Sequence, residues 1–130
     1  FALYSLVANQ GFAMTQNTLG LMYYRGQGVA QDNKKAFEWY EKSAIQGDDL
    51  AQTNLALMYD NGEGVVQNYE KAFEWYSKAA NQGNAQAQYN LGSLYQNGQG
   101  IGKDDKKALE WYRKATNNGH SQAKLVLAEL

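Results

Sequence analysis

Few residues of this chain have the types and spacing that catalysis or metal binding requires. His120 is the only histidine, and the 130 residues contain no cysteine. A metal site needs several such ligands close together, and the sequence offers no cluster of them. We also find no convincing nucleophile with a nearby base. The sequence therefore predicts no catalytic residue, no metal ligand and no cofactor, which indicates a protein that is not an enzyme.

One stretch has the outline of a phosphate-binding loop, Gly-Gln-Gly-Ile-Gly-Lys over residues 98–103. A phosphate loop follows a strand and carries a serine or threonine after its lysine, and this stretch has neither. The related glycine-rich stretches at 26–28 and 62–64 are not followed by such a lysine. Helix capping by the first glycine is therefore the better interpretation. His120 stands at a predicted helix start, which favours a structural role over that of a ligand or base.

The charge of the chain is nearly balanced, with 12 lysines and arginines against 13 aspartates and glutamates. Binding to nucleic acid or to an anionic membrane usually requires clustered positive charge, so this balance argues against both. No apolar run approaches the roughly 18 residues that a membrane-spanning helix needs. Hydrophobic residues make up 44% of the chain, enough for a sizeable core in one domain. The lack of cysteine decides nothing about the compartment.

A seven-residue segment occurs three times at a constant distance. Its copies, FEWYEKS, FEWYSKA and LEWYRKA, place Trp39, Trp75 and Trp111 36 residues apart. A period of this length is typical of stacked supersecondary units. The full repeats are predicted at 12–47, 48–83 and 84–119. Residues 1–11 match the second half of a repeat and residues 120–130 the first half, so we expect one repeat domain cut from a longer array.

Each repeat is expected to contain two helices, named A and B. Helix A is predicted over 13–25, 49–61 and 85–97. Helix B is predicted over about 33–46, 69–82 and 105–118. In helix A, apolar residues recur at i, i+4, i+7 and i+8 and form one face. In helix B the tryptophan–tyrosine pairs fall within a broad apolar stripe, which favours core packing of both rings over an aromatic binding platform.

Local signals fix the ends and the outer face of the helices. Asp32, Asn68 and Asp104 are expected to cap the B helices with their side chains. Lysines follow glutamates at i, i+4 on the outer face, and each such pair contributes roughly 0.2–0.5 kcal/mol in isolated helices. These pairs are Glu38–Lys42, Glu74–Lys78 and Glu110–Lys114. Gly20 and Gly92 lie inside A helices, where glycine costs about 1 kcal/mol relative to alanine, so we expect a neighbouring helix to approach closely.

The repeat resembles the Sel-1-like repeats, relatives of the tetratricopeptide repeats with longer units. The resemblance rests on the pattern A-x-x-x-L-G-x-x-Y-x-x-G-x-G-V, an Asp or Asn, and then K-A-x-x-W-Y-x-K-A-A-x-x-G. Departures are small: Thr15, Ala56, Ile101 and Thr116 replace the usual residues. The resemblance implies an all-α, right-handed superhelix of antiparallel helix pairs with the A helices on its concave side. It also implies an adaptor or scaffold, frequent in bacterial periplasmic or secreted proteins and in eukaryotic membrane-associated assemblies.

The surface of the A helices that is not used for the core varies between copies, as a ligand-binding surface would, although neutral drift would produce the same pattern. This strip holds two charges, Arg25 and Asp60, among amides and apolar groups. Its predicted partner-binding residues are Asn17, Leu21, Tyr24, Thr53, Asn54, Leu57, Tyr89, Asn90 and Ser93. We therefore expect a module that binds a peptide or partner protein in the concave groove. Alanine at Asn54 and Asn90 is expected to weaken binding without lowering stability.

Two other functions remain open from the sequence. Some cysteine-rich members of the family suggest binding to β-lactams or peptidoglycan, or hydrolysis, but this chain lacks the cysteines. A purely structural spacer within a longer array is the plainer alternative. In addition, the incomplete terminal repeats leave apolar residues uncovered, and a stack without polar caps tends to associate end to end. These residues are Leu6, Val7, Val126, Leu127 and Leu130.

Overall fold

The computed structural model describes residues 2–9 and 11–129 of the chain. These residues form eight helices and no strand. The helices are α1 (Ala2–Asn9), α2 (Ala13–Arg25), α3 (Asn33–Ile45), α4 (Asp49–Asn61), α5 (Tyr69–Asn81), α6 (Ala85–Asn97), α7 (Asp105–Asn117) and α8 (Ser121–Glu129). The three full A helices are α2, α4 and α6, and they have the predicted bounds. The B helices α3, α5 and α7 each end one residue earlier than predicted.

The helices form an all-α solenoid, as predicted. Each helix packs against the next one in the chain, and α2 also touches α4. The A helices α2 and α4 therefore share a surface, and it is on this surface that the partner-binding residues are predicted.

The core of the solenoid lies between the A and B layers. The predicted apolar face of helix A is buried in the second and third copies, where Leu55 and Leu91 are at most 1% exposed. The tyrosine of each B helix is buried against this face: Tyr40, Tyr76 and Tyr112 are 2%, 0% and 1% exposed. These rings, with the small alanines beside them, fill the space between the two layers.

Close approach of the helices explains the glycines inside the A helices. A Cβ atom added at Gly20 would lie 2.7 Å from Cδ1 of Tyr40, and one added at Gly92 would lie 2.8 Å from Cε1 of Tyr112. The equivalent residue of the second repeat is Ala56, which is fully buried. The position accepts nothing larger than a methyl group, because a tyrosine ring occupies the adjoining space.

Capping side chains define where the helices begin. Asp32, Asn68 and Asp104 accept hydrogen bonds from backbone N–H groups three residues on, at 3.0–3.1 Å, as predicted. Asp48 and Asn84 cap α4 and α6 in the same way, although neither residue was predicted as a cap. Each cap satisfies one of the amide donors that a helix start leaves free.

A ladder of buried side-chain amides joins successive repeats. Gln52 donates to the backbone carbonyl of Ala44 at 3.2 Å and accepts from Gln82 at 2.8 Å, so it links the ends of α3 and α5 through α4. The equivalent bonds of Gln16 and Gln88 measure 2.6–3.1 Å. Because these amides are buried, their hydrogen bonds are needed to offset the loss of water.

One prediction about the B helices holds only in part, and another is wrong. The tyrosines are buried, whereas the tryptophans are partly exposed, although Trp75 and Trp111 still pack against the core. The predicted glutamate–lysine pairs do not form in the described part of the chain, where the one ion pair is Lys103–Asp105. Instead Lys42, Lys78 and Lys114 lie over the indole rings of Trp39, Trp75 and Trp111, at 4.4, 4.4 and 4.3 Å. A cation over an exposed indole gains from the ring's charge distribution and shields its apolar face.

Apolar side chains are exposed on both terminal helices. Leu6 on α1 and Leu125 on α8 are 59% and 68% exposed. Val7, Val126 and Leu127 are partly buried, and Leu130 lies outside the described residues. Self-association through these faces stays a prediction.

The burial pattern predicts that Tyr76→Ala is far more damaging than Trp75→Ala. The tyrosine ring is fully buried, and truncating such an aromatic costs roughly 3–5 kcal/mol, whereas the tryptophan keeps part of its surface in water. Urea unfolding monitored by circular dichroism would compare the two variants with the parent. An equal or larger loss in Trp75→Ala would contradict the assignment of the tyrosine as the central core residue.

Two glycines of one turn provide a matched test of the backbone. Gly100 has φ 74°, and an added Cβ would overlap the carbonyl oxygen of Tyr69 in the preceding repeat, whereas Gly102 has open space around it. Gly100→Ala should destabilise by more than about 1–2 kcal/mol, because the left-handed conformation alone costs that much for an L-residue. Gly102→Ala should be nearly neutral in the same unfolding experiment, and similar losses in both variants would refute this account.

Candidate functional site

A pocket of about 310 Å³ lies between the A helices α2 and α4, next to the B helix α3. It is lined by Leu21, Tyr24, Arg25, Tyr40, Asn54, Leu57, Met58, Asn61 and Glu63. The leucines and methionine supply an apolar wall, while the amides and two opposite charges stand around it. A concave apolar surface with a few convergent polar groups is typical of a binding site.

Four predicted groove residues meet in this pocket: Leu21, Tyr24, Asn54 and Leu57. Asn17 and Thr53 do not line it. They are only 9% and 5% exposed, so their placement on an open groove surface was wrong. Asn17 accepts a hydrogen bond from Asn54 at 3.1 Å, and Thr53 donates to the carbonyl of Asp49 within its own helix. Asn17 therefore supports the pocket wall through Asn54, whereas the hydrogen bond of Thr53 lies within its own helix.

The other three predicted residues lie one repeat further on and are engaged by neighbouring side chains. Tyr89 stacks on the ring of His120 with the centroids 4.5 Å apart. Ser93 shares a hydrogen bond with the hydroxyl of Tyr112 at 3.1 Å. Asn90 accepts from Gln86 at 3.0 Å and also approaches the hydroxyl of Tyr76.

Asn54 and Asn90 are therefore part of the internal hydrogen-bond network. The expectation that alanine at these positions leaves stability unchanged needs correction, because each replacement removes hydrogen bonds within the fold.

The hydroxyls of the buried tyrosines emerge on the groove side, where the A helix supplies an acceptor. Tyr76 donates to the carboxylate of Asp60 at 3.0 Å, and Tyr112 donates to Oε1 of Gln96 at 2.7 Å. Burial raises the pKa of Asp60 above its usual range, and the hydrogen bond from Tyr76 opposes that rise. Burial also raises the pKa of Tyr76 and of Tyr112, so both remain hydrogen-bond donors at physiological pH.

The first repeat differs at this point. Tyr24 occupies the position equivalent to Asp60 and Gln96, and its hydroxyl donates to both carboxylate oxygens of Glu63, at 3.1 and 3.0 Å. No residue in the described ranges accepts a hydrogen bond from Tyr40, whose hydroxyl is left facing the pocket. Burial raises the pKa of Tyr40 well above that of a free tyrosine, so its proton is retained.

Five lining residues were absent from the predicted set: Arg25, Tyr40, Met58, Asn61 and Glu63. Arg25 and Asn61 belonged to the variable surface of the A helices, but no feature of the sequence favoured them over their neighbours. Tyr40 lies in the predicted apolar stripe of helix B and Met58 on the predicted apolar face of helix A, and both residues are buried. The change from glutamine in the first and third glycine-rich turns to Glu63 in the second was the signal that could have indicated a partner for Tyr24.

The described ranges contain no group of three or more His, Cys, Asp or Glu residues placed to hold a metal. Within the same ranges, every helix is too short or too polar to span a bilayer.

The model of the Sel1 repeat family matches residues 13–48, 49–84 and 85–120. The chain belongs to the Sel1 repeat family. The matched units begin one residue later than the boundaries expected from the sequence. Sel1 repeat proteins are in general non-catalytic scaffolds that mediate protein–protein interactions.

Solved structures of bacterial proteins share this Sel1 fold. A protective antigen of uropathogenic Escherichia coli strains, which displays an SLR fold, superposes with a TM-score of 0.94 at 38% identity. A Sel1 repeat protein from Oxalobacter formigenes gives 0.87 at 40% identity. The alignments cover 97% and 91% of this chain but only 27% and 49% of those two proteins, so this chain spans about a quarter and a half of their lengths.

Cysteine-rich protein B of Helicobacter pylori is more distant, with a TM-score of 0.75 at 25% identity over 95% of both chains. The chain described here contains no cysteine, so it reaches the same Sel1 fold without disulfides. A comparison with curated proteins finds no significant match.

His120 has a structural role in this Sel1 array. Its Nδ1 accepts a hydrogen bond from the backbone N–H of Ala123 at 3.1 Å and so caps α8. The proton of the neutral ring is then on Nε2, which lies 3.1 Å from Oε1 of Gln86 and donates to it. Burial lowers the pKa of His120 below its usual value. Asn84 caps α6 from the equivalent position, one repeat earlier.

Acidification should loosen α8 through this histidine. Because the pKa of His120 is lower in the folded state, the unfolded chain binds the proton more readily. The stabilisation that His120 gives to the folded state is therefore present above about pH 6.5. It is lost as the pH falls, first through the pKa of the unfolded chain and then through that of the folded chain. His120→Asn keeps a capping oxygen and removes the titration. Hydrogen-exchange protection factors for residues 121–129 should fall between pH 7.5 and 5.5 in the parent and change less in the variant, and equal changes would exclude this role.

Proposed function

We propose that this chain is a non-catalytic interaction module that binds a segment of a partner protein along the groove of its A helices. In this proposal the pocket between α2 and α4 is the main contact. Three things support it: the general role of Sel1 repeats, the pocket in the A-helix surface, and the meeting there of four residues predicted from the sequence. The observation that carries it is the partly exposed apolar wall of Leu21 and Leu57.

The pocket is suited to one side chain of a bound segment and the residues on either side of it. Its volume of about 310 Å³ accommodates a side chain of moderate size together with part of the backbone. Leu21 and Leu57 would take apolar surface from the segment, and the amides of Asn54 and Asn61 would pair with its backbone. The apolar contact supplies affinity, and the polar groups fix orientation.

The remainder of the predicted strip extends the groove towards α8. Tyr89 and the neighbouring Asn90 and Ser93 would provide secondary contacts there, while Asn17 supports Asn54 from within. The pocket carries one cation and one anion, Arg25 and Glu63, so binding is expected to depend only weakly on salt, unlike binding to a basic groove.

A peptide selection provides the test. Random dodecapeptides displayed on phage would be selected against the immobilised chain, and the selected peptides would be measured by calorimetry. The groove variant combines Leu21→Ser with Leu57→Ser, because Ser93 occupies the equivalent position in the third repeat and shows that the fold accepts it. The control is Ile45→Asn at an exposed B-helix position, where the equivalent residues are Asn81 and Asn117.

Selected peptides should lose at least about tenfold in affinity for the groove variant, since burying a leucine side chain contributes roughly 1.5–3 kcal/mol. The control should bind like the parent. Equal binding to the parent and the groove variant, or loss only in the B-helix control, would show that the A-helix groove is not the binding surface.

A further inference from the structure

The three repeats form an internal comparison that indicates which chemical group the pocket recognises. In the second and third repeats the B-helix tyrosine donates to an oxygen from the A helix, the carboxylate of Asp60 or the amide oxygen of Gln96. In the first repeat the equivalent residue is Tyr24, which donates to Glu63 instead. The hydroxyl of Tyr40 therefore lacks, within the described ranges, the acceptor that its two counterparts have.

Because Tyr40 lines the pocket and its hydroxyl has no acceptor among the described residues, an incoming acceptor can take a hydrogen bond from it without breaking one within the fold. The ring of Tyr40 is held by the core, with the residue 2% exposed, so the position of its hydroxyl oxygen is fixed before anything binds. A preorganised donor loses little freedom on binding, which makes it a strong determinant of specificity. The pocket therefore favours a ligand oxygen at the place that Asp60 takes opposite Tyr76.

Arg25 distinguishes a carboxylate from a neutral acceptor. Arg25 lines the same pocket and takes part in no ion pair among the residues that the structure describes. Guanidinium is a donor only, and its planar group of N–H donors matches a carboxylate. Glu63 is the opposing charge in the pocket, and both of its oxygens already accept the hydroxyl of Tyr24. Of the other donors in the pocket, the amides of Asn54 and Asn61 suit the backbone of the segment, while Tyr40 and Arg25 both fit a carboxylate.

We propose that the pocket binds the side-chain carboxylate of an aspartate or glutamate in the partner segment, with Tyr40 donating to it and Arg25 supplying the countercharge. This inference rests on the function proposed above and specifies its ligand. An apolar residue next to the acidic one packs against Leu21 and Leu57. Asp60 opposite Tyr76 is the internal counterpart of the bound carboxylate.

Synthetic octapeptides test the proposal directly. The probes are acetylated and amidated peptides whose centre is Leu-Asp or Asp-Leu, with flanking positions randomised, and matched sets carry Asn or Ala in place of Asp. A further set ends in a free C-terminal carboxylate after leucine and has no acidic side chain. Fluorescence polarisation would rank the sets against the parent chain, Tyr40→Phe and Arg25→Gln.

We expect the Asp peptides to bind about tenfold more tightly than the Asn peptides, as a charge-assisted hydrogen bond implies. Tyr40→Phe and Arg25→Gln should each remove most of that preference. Equal affinity for Asp, Asn and Ala peptides would overturn the carboxylate assignment, and so would a preference for the free C-terminus over the acidic side chain. In both cases, continued loss of binding in the double serine variant would leave the groove function standing.

Tyr24→Asp gives an independent test. This change gives the first repeat the same acceptor that Asp60 provides in the second. The new carboxylate should accept the hydrogen bond from the hydroxyl of Tyr40 and so compete with the ligand. We expect at least a tenfold loss of affinity for the Asp peptides with the fold retained. The matched control is Gln96→Asp, which makes an equivalent exchange beside Tyr112 in the third repeat and should leave affinity unchanged.

Undiminished binding to Tyr24→Asp would contradict the proposal. Binding of no peptide set above background would overturn both the carboxylate assignment and the groove function.

Discussion

The packing of the B-helix tyrosines against a glycine or alanine of the A helix is the contact on which the rest of the structure depends. Gly20 and Gly92 leave room for a ring where a Cβ atom would overlap it, and Ala56 is the largest residue found at this position. The ring sets the distance between the two layers. It also carries the tyrosine hydroxyl through the core to the surface of the A helices, so the same contact that closes the core presents a polar group at the proposed binding surface.

The repeats are joined by polar contacts as well as by apolar ones. Gln52 and its equivalents connect the ends of successive B helices through buried hydrogen bonds. A buried amide without a partner costs more free energy than a paired one contributes. These hydrogen bonds therefore restrict the position of each repeat relative to the next. The solenoid therefore tolerates few substitutions among the residues that connect successive repeats. The residues that differ between repeats are the exposed ones of the A helices and those that face the tyrosine hydroxyls.

The pocket arises because these residues differ between repeats while the packing of the helices stays the same. All three tyrosines reach the groove, but the residues that face them differ: Tyr24, Asp60 and Gln96. Two of these accept the hydroxyl and complete an internal bond, while Tyr24 turns to Glu63 in the following repeat. One substitution in one copy thus converts a structural hydrogen bond into a donor directed at a pocket. In a repeat protein, a site can be formed in this way without changing the fold.

The sequence by itself determined the number of repeats, the helix bounds to within one residue and the caps of the B helices, because periodicity and capping depend on residues close together in the chain. It also led to four of the pocket residues. Only the tertiary structure decided which aromatic ring of each pair is buried, that the lysines lie over tryptophans rather than beside glutamates, and that Asn17 and Thr53 face inward. It alone showed that Tyr24 bonds to Glu63, 39 residues away. Such choices depend on distances between side chains of different repeats, and a pattern along one chain does not contain them.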